Sequence, residues 1–177
     1  PCAKLTGRNI LESNLTTSII SDSMTKDIAS IAISNNSWGA TDSTGQYADS
    51  MASTTWKSAI DTGVTTGRGG KGTLYLWAAG NGSEPGFPSS FALEAEIVDN
   101  SNHDGQANYH GVLAIGGIGI NGKKAAYSEK GANLWVVAHT QGNSSTAYTT
   151  AISTTDPTGT SGFNTGSDKT NYSNTAY

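Results

Sequence analysis

Hydrophobic and polar positions change period several times along the chain. Over residues 14–28, Leu15, Ile19, Ile20, Met24 and Ile28 recur near helical spacing, and over residues 48–60 Met51, Ala52, Trp56, Ala59 and Ile60 do the same. Between these helices residues 31–34 predict a short strand, and residues 37–46, rich in Gly, Ser and Asp, predict a loop. Residues 67–72 read as a glycine-rich connection into an apolar strand over residues 73–79. Further strands are predicted at residues 4–7, 112–117 and 134–138, with residues 147–153 as a hairpin edge. Residues 81–111 form a long polar stretch, and loops of that length are often functional.

Strands that alternate with helices imply an α/β fold: a parallel sheet flanked by helices and linked by right-handed crossovers. In such sheets, sites gather at the carboxyl ends of the strands. Ser37 and Asn81 both fall at such ends.

Composition narrows the picture. The chain has 177 residues, 22 of them Gly, and a hydrophobic fraction of 35%, which suits a loop-rich domain. Apolar runs at residues 74–79 and 112–117 oppose disorder, and none approaches the ~20 residues needed to span a bilayer. Net charge is −4 with no Lys/Arg cluster, which disfavours nucleic acid as a partner. The single cysteine, Cys2, has no internal disulfide partner, and no Cys/His spacing suggests zinc. With Pro1 in first place and no signal peptide, the chain reads as an excised piece of a longer polypeptide. Its Ser/Thr/Asn richness with few Lys points to an exported protein, secreted or periplasmic.

The chemistry concentrates at Leu76-Trp77-Ala78-Ala79-Gly80-Asn81-Gly82. A buried strand runs into a small-residue turn that presents one amide. An N–H₂ group held there can donate to a developing oxyanion, worth about 3 kcal/mol in acyl transfer. The alternative is that Asn81 merely caps the following turn.

Read in order, Asn36-Ser37-Trp38-Gly39, the glycine run 67–72, the Asn81 turn, Asp99-Asn100-Ser101-Asn102-His103-Asp104-Gly105 and Ala126-Tyr127-Ser128-Glu129 resemble the kexin/furin branch of the subtilisin-like serine proteases. The resemblance covers residues 1–153 as part of the catalytic domain; residues 154–177 read as a polar segment leading toward a nucleophile. It implies a serine endopeptidase whose oxyanion asparagine is Asn81. Ser37, Trp38 and Gly39 would pair with an extended substrate backbone, as in strand addition. Ala78, Ala79 and Gly80 would form the opposite wall of the pocket for the residue preceding the cut. Asp42 and Asp104 would line its base and select Arg or Lys through charge-assisted contacts. Asp42, Asp99 and Glu129 match a calcium site, and a hard dication would relieve the repulsion among converging carboxylates. The implied partners are peptide or protein substrates with basic residues and the remainder of a parent protease.

The chain departs from the family pattern in three places. Ala40-Thr41 precede Asp42 where the family often has Pro-Glu or Pro-Ala. Ser101 and Gly131 stand near a cysteine pair that often braces the calcium loop. Residues 143–177 are longer than the usual connection to the nucleophile.

Short motifs elsewhere in the chain suggest other chemistry. Asp61, His110 and Ser161 lie in short stretches that mimic acid, base and nucleophile motifs. Chain order opposes them, because the family places the oxyanion asparagine after the histidine, and Asp61 is expected at a helix end. The convincing acid, base and nucleophile motifs of the family are missing, so the isolated chain is expected to be inactive. The run at residues 67–72 is not a phosphate loop: Gly72 follows Lys71, and the run precedes a strand. A Rossmann-type nucleotide binder would need a G-x-G-x-x-G turn that is absent. The remaining alternative is a non-catalytic peptide- or calcium-binding module on a protease fold.

Overall fold

Among the described residues two capped helices pack with a four-stranded sheet. In the computed structural model, residues 2–11, 14–39, 51–83, 99–140 and 152 are described. The first helix, α1 (Thr17–Thr25), begins where the Thr16 side chain accepts the Ile19 N–H at 3.2 Å, satisfying one of the donors a helix start leaves open. It buries Ile20 and Met24, and stops at Lys26, whose backbone is extended. The second, α2 (Thr54–Gly70), begins at Ser53, which caps the Trp56 N–H. Trp56, Ala59, Ile60 and Gly63 form its buried stripe. Non-helical backbone at Gly67, Arg68 and Gly69 breaks the helix, so the glycine run does act as the predicted connection.

The sheet contains β1 (Ile33–Asn36), β2 (Leu74–Ala78), β3 (Val112–Ile118) and β4 (Leu134–His139), in the order β1-β2-β3-β4. It is the expected parallel α/β arrangement. β1 pairs with β2 from Ile33↔Leu74 to Asn36↔Trp77. The chain forms two compact units. One comprises residues 1–40, 46–78 and 102–114; the other comprises residues 41–45, 79–101 and 115–177.

The first unit's core is aromatic. Trp56 meets Trp77 edge-on at 5.5 Å between ring centroids, and Tyr109 at 5.5 Å. Such pairs add about 0.5–1.5 kcal/mol each beyond burial. Tyr75 donates its hydroxyl to the Met24 carbonyl at 2.6 Å and occupies the space where a side chain on residue 63 would stand. Gly63 therefore lets β2 pack against α2 while binding the end of α1. In the second unit Ala125, Ser128, Glu129 and Asp99 are buried.

Several expectations shift. Residues 4–7 form no strand and are exposed, with Leu5 97% accessible, and among the described residues no strand pairs with them. β1 sits two residues later than expected, where pairing with β2 sets its bounds in preference to local propensity. α2 starts at Thr54, not residue 48, because Ser53 supplies the cap; residues 48–50 lie outside the described set. The edge predicted at residues 147–153 also lies outside it, apart from Ile152.

Candidate functional site

In the first unit, Ser37, Trp38 and Gly39 leave the carboxyl end of β1, and Ala78 ends β2 one step beyond the Asn36/Trp77 pair. Asn36 fixes this edge: its Nδ2 donates to the Leu76 carbonyl at 3.4 Å, and its Oδ1 accepts from Trp38 Nε1 at 3.2 Å. The Trp38 carbonyl accepts from Trp77 Nε1 at 2.9 Å, and the two indoles lie 5.0 Å apart. Trp38 is thus a packing residue that also holds the 37–39 segment in place. Ser37, Gly39 and Ala78 are exposed.

Asp104 follows the short 3-10 turn Ser101–His103. Its Oδ1 accepts the N–H groups of Gln106 at 2.7 Å and Ala107 at 2.8 Å, an Asx turn that fixes the side chain. Its Oδ2 faces residue 39 and stands 3.6 Å from the point where a Gly39 Cβ would lie. The structure therefore brings Asp104 to the end of β1. Asp42, the other acid assigned to this pocket, lies outside the described residues.

In the second unit, Ala79 is buried and its N–H donates to the Ile115 carbonyl at 3.0 Å. The chain then turns through Gly80, whose φ of +103° suits glycine, to exposed Asn81 and buried Gly82. Two acids hold this turn. Glu129 donates its N–H to the Gly80 carbonyl at 3.1 Å and accepts the Gly82 N–H on Oε1 at 3.1 Å. Asp99 donates its N–H to the Gly82 carbonyl at 3.0 Å. A side chain on residue 80 would collide with the Glu129 carboxylate, and one on residue 82 would come within 2.6 Å of Asp99 Oδ2. Glycine flanks Asn81 because these acids need the space.

Glu129 and Asp99 are only 4% and 9% exposed. Two of the three predicted calcium ligands therefore meet at one turn, as buried hard-oxygen donors, which fits the ion's preference. Among the described residues no group of three or more His, Cys, Asp or Glu is placed to hold a metal; Asp42 is not among them.

The sequence reading missed Gln106, a nearly buried amide beside Asp104. Its place after Asp104-Gly105 carries no apolar or motif signal. Asp61 corrects another expectation. It lies inside α2, not at its end, because the helix continues past residue 60. It accepts from the Tyr109 hydroxyl at 2.9 and 3.0 Å and stands 3.3 Å from His110 Nε2. Burial first, then the Asp61 hydrogen bond and charge, raise the Tyr109 phenol pKa. The Asp61–His110 contact is exposed, so its contribution is on the order of 0–1 kcal/mol. Ser161 lies outside the described residues.

The described residues form a parallel α/β sheet with helices. The sequence pattern of the Subtilase family matches residues 1–170, and the chain belongs to that protease family. It is 37% identical over 108 residues to the "Calcium-dependent protease" of Trichormus variabilis, covering 61% of this chain and 14% of that protein. It is 31% identical over 160 residues to the "Dibasic-processing endoprotease" of Schizosaccharomyces pombe, covering 90% of this chain and 20% of that protein. The chain thus spans a small fraction of the length of these relatives. Among solved structures, the serine protease of Aeromonas sobria in complex with its chaperone superposes with a TM-score of 0.62 at 19% identity, over 76% of this chain and 24% of that one. That likeness concerns the fold. Among the described residues no helix is long and apolar enough to cross a membrane.

Proposed function

We propose that this chain forms the substrate pocket and oxyanion part of a subtilisin-like serine endopeptidase that cleaves after basic residues. The observation that carries the reading is Asp104. Its own loop fixes one carboxylate oxygen, and the other faces Gly39 at the end of β1. A side chain entering beside Gly39 meets a fixed negative charge, which favours a guanidinium or an ammonium. The family resemblance assigns Ser37, Trp38 and Gly39 to the substrate backbone, Ala78, Ala79 and Gly80 to the pocket wall, and Asp42 to a second acid.

Asn81 donates its N–H₂ to the oxygen that becomes negative when a nucleophile attacks the scissile carbonyl. The nucleophile, base and orienting acid come from segments other than these residues, so the 177 residues alone are inactive. The catalytic-domain part is residues 1–153, and residues 154–177 lead toward the nucleophile. Asp99, Glu129 and Asp42 hold calcium, which neutralises the acids and stiffens the Asn81 turn. The names of two relatives, calcium-dependent and dibasic-processing, support the ion and the basic preference. Exported location, secreted or periplasmic, belongs to the same reading.

The test is hydrolysis by the full-length protein of peptides that differ only in Arg, Lys or Leu before the cut. Faster cleavage after Arg and Lys supports the proposal. Equal rates remove the pocket assignment, and no hydrolysis of any peptide leaves a binding module on a protease fold.

A further inference from the structure

Gln106 is 1% exposed, yet among the described residues neither its Oε1 nor its Nε2 has a hydrogen-bond partner. Buried amides are almost always satisfied, and each exception calls for a physical cause such as strain, a bound water or ion, or a functional role. This one is aimed at the same point as the Asp104 carboxylate. A first side-chain carbon built on Gly39 would stand 3.7 Å from Gln106 Oε1 and 3.6 Å from Asp104 Oδ2, with Trp77 Nε1 at 4.0 Å. The two side chains are locked into one turn, because the Gln106 N–H is itself bound by Asp104 Oδ1 at 2.7 Å.

The geometry limits what Asp104 does alone. Its Oδ1 is directed at two N–H groups of its own loop, so Oδ2 is the oxygen directed at residue 39. A single oxygen suits a point-like ammonium. A guanidinium presents parallel N–H groups in a rigid fork and gains most when two acceptors face it together. Gln106 turns an acceptor oxygen toward the same space. Resting on the reading of Asp104 as the base of the pocket, we infer that Gln106 is a specificity-determining residue: its side-chain oxygen is the second acceptor for a guanidinium and makes the pocket prefer arginine to lysine. The amide is neutral, so it adds little for an ammonium that Asp104 already binds. A Cβ at residue 39 would lie in ordinary van der Waals contact with both acceptors.

The experiment compares kcat/KM of the full-length protein on matched Arg, Lys and Leu peptides, for the unaltered chain and for Gln106→Met, Gln106→Asn and Gln106→Glu. Gln106→Met keeps the length and removes the acceptor; Gln106→Asn withdraws the oxygen by one carbon. Both are expected to lower the Arg:Lys ratio about tenfold, the effect of losing one hydrogen bond to a charged group, with Lys and Leu cleavage little changed. Gln106→Glu keeps an acceptor oxygen but adds a charge that an ammonium also gains from, so cleavage after Arg is expected to persist while cleavage after Lys rises; loss of Arg cleavage in this variant speaks against an acceptor at position 106. An unchanged Arg:Lys ratio in whichever of Gln106→Met and Gln106→Asn folds, with basic peptides still preferred over Leu, overturns the role of Gln106 and leaves the pocket standing. Equal cleavage after Arg and Leu by the unaltered protein overturns the pocket, and the inference with it.

Discussion

The carboxylate of Glu129 occupies the space beside Gly80 that a side chain would need, and its Oε1 accepts the Gly82 N–H at 3.1 Å. One buried acid thus shapes the turn that presents Asn81. Alanine at position 80 must displace that carboxylate and also adopt a φ of +103°. Gly80→Ala is expected to destabilise the protein by about 1–3 kcal/mol, read from urea unfolding midpoints. A change below about 0.5 kcal/mol, the range of an ordinary surface substitution, contradicts this packing.

Calcium binding at Asp99, Glu129 and Asp42 predicts a melting temperature that rises with the free ion and falls on chelation. A free concentration 100-fold above Kd adds about 2.7 kcal/mol. Asp99→Asn and Glu129→Gln keep size and polarity but remove charge, and each is expected to abolish the response. Melting that is indifferent to calcium and chelator in the unaltered protein rules the ion out.

Tyr75 is expected to weaken the first unit at alkaline pH. Burial pushes its phenol from the usual 10.0 up to about 12. Between these values the folded state keeps a proton that the unfolded chain has released. The contribution is therefore complete below pH 10 and disappears as pH rises toward 12. It is on the order of 2 kcal/mol. Tyr75→Phe is expected to flatten this alkaline loss in pH-dependent denaturation, and to cost about 1 kcal/mol at neutral pH through the hydrogen bond to Met24.

Asn81→Ala in the full-length protein is expected to lower kcat about 100- to 1,000-fold with KM little changed, because an oxyanion donor acts on the transition state. A loss confined to KM would instead make Asn81 a substrate-binding residue.

Much of this was legible in the sequence where a pattern is long or a motif specific. The apolar runs at residues 112–117 and 134–138, bounded by turn residues, predict strands and form β3 and β4. Asp99 and Glu129, 30 positions apart, were grouped by family resemblance and do meet at one turn. Residues 4–7 misled because an alternating tetrapeptide has no strand without a partner. Asp61 lies inside α2 because the helix runs on through residues 61–66, where no apolar period marks it, to the break at Gly67–Gly69. Gln106 was invisible, since its meaning lies in what its amide fails to meet once the chain has folded.

The most direct test concerns Asp104. In the full-length protein, the ratio of kcat/KM for an Arg peptide to that for a matched Leu peptide is measured before and after Asp104→Asn. Removing one fixed charge while keeping the Asx turn is expected to lower the ratio at least about tenfold, mainly through the Arg peptide. A ratio that stays the same contradicts a carboxylate at the base of the pocket, and with it the reading of this site.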